Sequence, residues 1–178
     1  MNPKIKKILR IVPTLLLAIV VILLILLQGL RFIGLTPYSV LSGSMESVYP
    51  TGSLLYVRDV EPSQLEVGDV ITYEMTGGTL CTHRIVELVP DEEDSGVIRF
   101  RTKGDENDSA DSVLVGYNAV VGKAVFCIPF LGYLATYMAV PPGKYLAIAV
   151  VAAIILIEII SSLAFGDKDK DNSQTEQN

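Results

Sequence analysis

Two apolar blocks limit what this chain can fold into. They cover residues 11–30 and 145–165, and each is about as long as a membrane span. Twenty helical residues rise roughly 30 Å, the thickness of the hydrocarbon core. The first block opens Ile11-Val12-Pro13-Thr14 and continues through thirteen uninterrupted apolar residues, 15–27. A cleaved secretory signal has a shorter core and then small residues at an A-x-A-like site. Here the block runs into Gln28-Gly29-Leu30-Arg31-Phe32-Ile33, with no such site, so it reads as a retained anchor. Lys4, Lys6, Lys7 and Arg10 precede it and favour a cytoplasmic N-terminus for residues 1–10. The second block reads as a second transmembrane helix. Two spans return the polar tail, 166–178, to the cytoplasm as a disordered segment and leave residues 31–142 on the extracytoplasmic face. Glu158 sits inside the second block. An intramembrane acid is a functional candidate; near a span's end it is also a group reaching toward headgroups.

Half of the 178 residues are hydrophobic (50%), which excludes disorder for the bulk of the chain. The net charge of −6 argues against nucleic-acid binding by a basic surface. Cys81 and Cys127 are too few for a disulfide framework and lack the paired spacing of a zinc site. No metal and no cofactor is expected. Outside the cytoplasm the two cysteines could pair; they could equally be free and buried.

Between the blocks the chain reads as short strands. Ser53-Leu54-Leu55-Tyr56-Val57, Val70-Ile71-Thr72-Tyr73, Cys81-Thr82-His83-Arg84-Ile85-Val86, Val97-Ile98-Arg99-Phe100-Arg101 and Val120-Val121-Gly122-Lys123-Ala124-Val125 are β-rich or alternating. Pro50-Thr51-Gly52, Val67-Gly68-Asp69, Gly77-Gly78, Ser95-Gly96 and Lys103-Gly104-Asp105 supply turns between them. The fold class is therefore mainly β, an antiparallel domain between two transmembrane helices. Its last part, 126–142, is rich in Phe, Leu, Tyr and Met and reads as a membrane-proximal segment.

His83 is the sole histidine, and its unperturbed pKa alone suits base work near neutrality. A lone histidine is also a common structural group. Val40-Leu41-Ser42-Gly43-Ser44-Met45 follows the anchor by about ten residues. A serine hydroxyl there needs a base to take its proton and donors aimed at the developing oxyanion. Gly43 would let the segment pass close to a substrate backbone; a plain Ser/Gly loop is the other reading. The acidic turn from Thr102 to Asp111 could place a carboxylate behind an imidazole, fixing its tautomer and stabilising its cation. It also reads as a solvated loop, or one that holds a cation loosely.

In this order the stretches resemble type I signal peptidases. The nearer match is the endoplasmic-reticulum-like branch, which also occurs in archaea and, as the SipW-like enzymes, in Gram-positive bacteria. The matching pieces are Ser42-Gly43-Ser44-Met45-Glu46, Thr51-Gly52-Ser53-Leu54-Leu55-Tyr56-Val57, Gly68-Asp69-Val70-Ile71-Thr72-Tyr73, Thr82-His83-Arg84-Ile85-Val86 and Thr102-Lys103-Gly104-Asp105. Val121-Gly122-Lys123 and the C-terminal span complete the pattern. The resemblance implies Ser44 as nucleophile and His83 as general base, in the place where the other bacterial branch has a lysine. It implies Asp111 as the carboxylate partner, Asp105 as a supporting carboxylate and Ser42 as an oxyanion-hole contributor beside the Ser44 N–H. Lys103 and Lys123 do not match the catalytic-lysine position.

The implied activity is removal of signal peptides from secretory preproteins with small side chains at the third and first positions before the cut. The implied partners are those preproteins and the lipid bilayer, with the translocation machinery as a further candidate. Two residues depart from the pattern. Ser47 stands where the family commonly has proline, and Glu106 where it has asparagine after Lys-Gly-Asp. Glu106 adds a charge near Asp105 and Asp111, and like charges raise carboxylate pKa values. The competing readings are an inactive relative that binds exported proteins or scaffolds a membrane complex, and a membrane serine protease with one dedicated substrate.

Overall fold

The computed structural model describes residues 3–90 and 98–165. The acidic run Asp91-Glu92-Glu93-Asp94, the Ser95-Gly96 turn, Val97 and the tail 166–178 lie outside the described residues. Two compact units result, one built on the long helices and the other spanning Leu27–Thr136.

The helical unit contains α1 (Pro3–Leu27) and α3 (Gly143–Phe165). Within α3, Gly143–Ser161 is long and apolar enough to cross a membrane; in α1 the apolar stretch Ile11–Leu27 is shorter. The first helix thus ends at Leu27, before residue 30, because the chain tightens into a 3-10 turn over Gly29–Ile33 that stops at the left-handed Gly34. Inside this unit the Thr14 hydroxyl donates to Glu158 Oε1 at 3.1 Å.

The other unit is a six-stranded antiparallel sheet. Its strands are β1 (Leu35–Ser39), β2 (Leu54–Arg58), β3 (Val70–Glu74), β4 (Leu80–Pro90), β5 (Ile98–Lys103) and β6 (Val120–Ile128), in the order β1-β2-β6-β3-β4-β5. The last strand in sequence therefore joins the β1–β2 hairpin to the β3–β4–β5 meander. β2 reads as a continuous apolar run because both sheet faces are covered there, as such runs generally report. Leu55 and Val57 pack with Met45, Tyr49, Val70 and Ala124 on one side. Tyr56 stacks on Phe126 at 4.6 Å between ring centroids. On β3 the parity splits: Val70 joins that first cluster, while Ile71 and Tyr73 join a second with Leu65, Ile85, Phe100 and Val115.

β1 was not legible as a strand. Its Leu-Thr-Pro-Tyr-Ser sequence holds Pro37, which cannot donate to a ladder on both sides and is tolerated because β1 is a sheet edge. Residues 126–128 belong to β6, and the rest of the aromatic stretch folds as the short helix α2 (Leu131–Ala139). Phe130 and Tyr133 remain exposed at its start, and Tyr137 further along.

Candidate active site

The segment joining β1 to β2 carries Ser44. Its neck is closed by two backbone bonds, Val40 N–H to Ser53 O at 2.9 Å and Gly52 N–H to Val40 O at 2.9 Å. Between them the chain winds a tight turn in which Glu46 N–H donates to Gly43 O and Tyr49 N–H to Met45 O. Met45 is 2% exposed and anchors this turn in the first core cluster, so the preceding serine is held at the surface with little freedom. Glu46 closes the far side by accepting from the Thr51 N–H and hydroxyl at 2.9 and 2.6 Å.

His83 lies on β4 opposite Ile71 of β3 and is 7% exposed. Its Nε2 stands 3.1 Å from Ser44 Oγ and its Nδ1 2.6 Å from Asp111 Oδ2. An ionised carboxylate can only accept, so Nδ1 carries a proton, and when the ring is neutral Nε2 is left to accept from the serine. Asp111 is itself pinned. It accepts from the Thr102 hydroxyl at 2.6 Å and the Tyr73 hydroxyl at 3.2 Å, while its N–H donates to Thr102 O at 2.8 Å. Burial pushes the Asp111 carboxyl up, but the Thr102 and His83 hydrogen bonds outweigh it and hold the group below the usual carboxylate range. Burial also disfavours the His83 cation. The neighbouring Cys81 thiol and Asp111 carboxylate outweigh that and raise His83 to about 9. Tyr73 is pushed up, first by burial and then by Cys81.

Asp105 sits off the imidazole, facing Arg84. The guanidinium grips it with two hydrogen bonds of 2.9 and 2.6 Å and donates a third to Gly68 O at 2.7 Å. This pairing lowers the Asp105 pKa. Through it the turn after β5 is tied to the serine turn: Asp105 N–H points at Met45 Sδ, and Glu106 N–H donates to Ser44 O at 3.0 Å. Gly104 makes that approach possible, since a Cβ there would lie 2.8 Å from Ser44 O. Ser42 is exposed in the same turn as Ser44. Lys123 is committed elsewhere, to Asp69 at 2.6 Å. Cys81 and Cys127 are free thiols. Among the described residues no cluster of His, Cys, Asp and Glu could hold a metal ion.

No family model matches the chain. Signal peptidase I W of Bacillus subtilis (strain 168) is 45% identical to it over 83 residues, 46% of this chain and 42% of that protein. The signal peptidase complex catalytic subunit SEC11C of Rattus norvegicus, and likewise that of Homo sapiens, is 33% identical over 128 residues, 67% of this chain and 66% of the subunit. The chain belongs to the type I signal peptidases. Its branch is the one that holds signal peptidase I W and the SEC11 subunits. The matched region spans less than half of the Bacillus protein (42%) and just under two thirds of SEC11C (66%).

In this signal peptidase chain three stretches separated by about twenty to forty residues converge on one imidazole. The partners that sequence reasoning did not assign are Thr102, Tyr73 and Arg84. Thr102 and Arg84 lie inside quoted motifs, but a hydroxyl on a strand gives no sign of which carboxylate it will meet. The two departures meet each other. Glu106 Oε1 accepts from Ser47 N–H at 3.2 Å, a bond that a proline at 47 has no hydrogen to make.

Proposed function

We propose that the chain is a membrane-held serine endopeptidase that removes signal peptides from secretory preproteins. Ser44 attacks the scissile carbonyl while His83 Nε2 takes its proton. Asp111 fixes the tautomer and stabilises the imidazolium. The Ser44 N–H and Ser42 stabilise the tetrahedral oxyanion. His83 then protonates the leaving amine, and water, activated by the same imidazole, cleaves the acyl-enzyme. The observation that carries this reading is the 3.1 Å contact between Ser44 Oγ and His83 Nε2, with Asp111 2.6 Å behind.

The substrate binds extended, as an added strand. β5 pairs with β4 only from Arg84 onward, so no strand among the described residues covers that edge of β4 at Leu80–His83. This uncovered edge supports placing the peptide there, beside the Ser44 turn. Small side chains at the first and third positions before the cut suit shallow recesses on such a surface.

The helices supply the second part of the reading. α1 and α3 both span the bilayer, the sheet domain lies on the extracytoplasmic face and both termini are cytoplasmic. The four cations ahead of the first apolar block support this orientation. Exposed Phe130, Tyr133 and Tyr137 suit contact with the lipid interface. Preproteins delivered by the translocation machinery would emerge on the same face. Incubating the detergent-solubilised chain with a preprotein, and mapping the cut, tests the activity. Ser44→Ala and His83→Ala are each expected to lower processing by at least ~10³-fold while membrane insertion persists. Unimpaired processing by Ser44→Ala would end this mechanism.

A further inference from the structure

A cavity of about 580 Å³ opens beside the imidazole, lined by Tyr73, Met75, Cys81, His83, Asp111 and Val113 among others. Ser44 does not border it. Besides the base and its carboxylate, the wall carries Glu74, Thr76, Thr79 and Ser112; its larger apolar part includes Met75 and Val113, 42% and 74% exposed at the rim. We infer that this cavity binds the side chain of the residue immediately after the cut, the first residue of the mature protein, and favours a medium or large apolar one there. The inference rests on the signal-peptidase reading above.

The argument is one of parity and proton transfer. Successive side chains of a strand point to opposite faces of a sheet. On β4, Cys81 and His83 share one face, and Thr82 takes the other, where its hydroxyl meets that of Thr72 at 2.8 Å. A peptide added along the uncovered edge of β4 obeys the same alternation. Its first and third residues before the cut lie on one face, and the residue after the cut lies on the opposite one. A 580 Å³ opening cannot exclude large side chains. Selection for small residues therefore belongs on the Thr82 face, and the residue after the cut faces the cavity. The second residue before the cut shares that face, but about 7 Å away along the strand. Only the residue after the cut owns the nitrogen that His83 must protonate, and His83 is part of the cavity wall.

The test uses the full chain in detergent and preproteins that differ at one position only. One series carries Ala, Leu or Phe after the cut; a second carries the same residues two positions before it. Wild type is expected to cleave the Leu and Phe substrates of the first series at least as well as the Ala substrate. Val113→Trp, which narrows the mouth, is expected to lower kcat/KM for the Phe substrate by about tenfold and to leave the Ala substrate within about twofold. Met75→Ala removes apolar contact without crowding and covers the chance that Val113→Trp misfolds. It is expected to weaken cleavage of the Phe substrate and spare the Ala one. Equal effects on Ala and Phe substrates, or a penalty that appears only in the second series, would overturn the assignment and leave the protease standing. Failure of wild type to cleave any substrate overturns the protease reading itself, and this subsite with it.

Discussion

His83 has a pKa of about 9, set against burial by Cys81 and Asp111, and that value fixes the sign of two pH effects. The proposed role as general base needs the neutral ring. At pH 7 a base with that pKa is neutral in about one molecule in a hundred, so kcat/KM should climb with pH along a limb centred well above the ordinary histidine value near 6.5. Stability runs the other way. The folded-state pKa is raised, so the stabilisation of the cation is present below about 6.5 and is lost as pH rises through about 9. Asp111→Asn removes the carboxylate's share of the shift and leaves that of Cys81, so it should move the activity limb part of the way down toward 6.5 while lowering the maximal rate by about 10²–10⁴-fold; a pH–rate profile with an unmoved limb would show that Asp111 does not act through the imidazole. The Ser47–Glu106 bond offers a second check. Ser47→Pro strands the Glu106 carboxylate beside Asp105 and should cost about threefold in kcat, the scale of an exposed charged hydrogen bond. Adding Glu106→Asn should recover most of that loss, giving a coupling of about 0.5–1 kcal/mol in a double-mutant cycle. Strictly additive effects would mean that the two residues ignore each other.

At the level of elements, the sheet was readable where a pattern had a local cause. β2, β3 and β6 announce themselves as apolar or alternating runs bounded by Gly and Pro turns. β1 does not, because Pro37 disguises it and only its edge position makes it tolerable. Ser44, His83 and Asp111 could be nominated from motif order, but their convergence depends on the long-range pairing of β4 with β3 and β5, which no local pattern encodes. The same holds for Thr102, which is fully buried beneath Asp111. β6 is the strand that supports this convergence, since among the described strands it is the one that pairs with both the Ser44-bearing hairpin and the His83-bearing meander. Gly122 lies on it with φ 158°, and a Cβ there would drive into the Arg58 carbonyl of β2. Gly122→Ala should therefore destabilise the chain by about 1–3 kcal/mol, read as a lower unfolding midpoint in denaturant. An unchanged midpoint would show that the β2–β6 bulge between Tyr56 and Val57 absorbs the added methyl.

For the molecule as a whole, the question is what the two apolar helices would add to the proposed protease. A signal peptide keeps its apolar core in the bilayer, so under the proposed function an enzyme held there by two spans would meet the cleavage site within a surface rather than a volume. Confinement raises the effective concentration without any added contact. α3 has the length and composition to cross, and Thr14 of α1 meets Glu158 of α3, which satisfies one oxygen of an acid that would otherwise be costly in hydrocarbon. Encounter in a surface has a distinct kinetic mark. With enzyme and preprotein in the same vesicles at fixed lipid ratio, diluting the suspension about tenfold should leave the processing rate per preprotein unchanged, because the surface density is unchanged. In detergent micelles the same dilution should slow it about tenfold, as for any bimolecular reaction below saturation. Preprotein and enzyme placed in separate vesicles should not react. A vesicle rate that falls with dilution as steeply as the micellar one would show that the helices do not confine the encounter, and the proposed two-span arrangement would lose its functional reason.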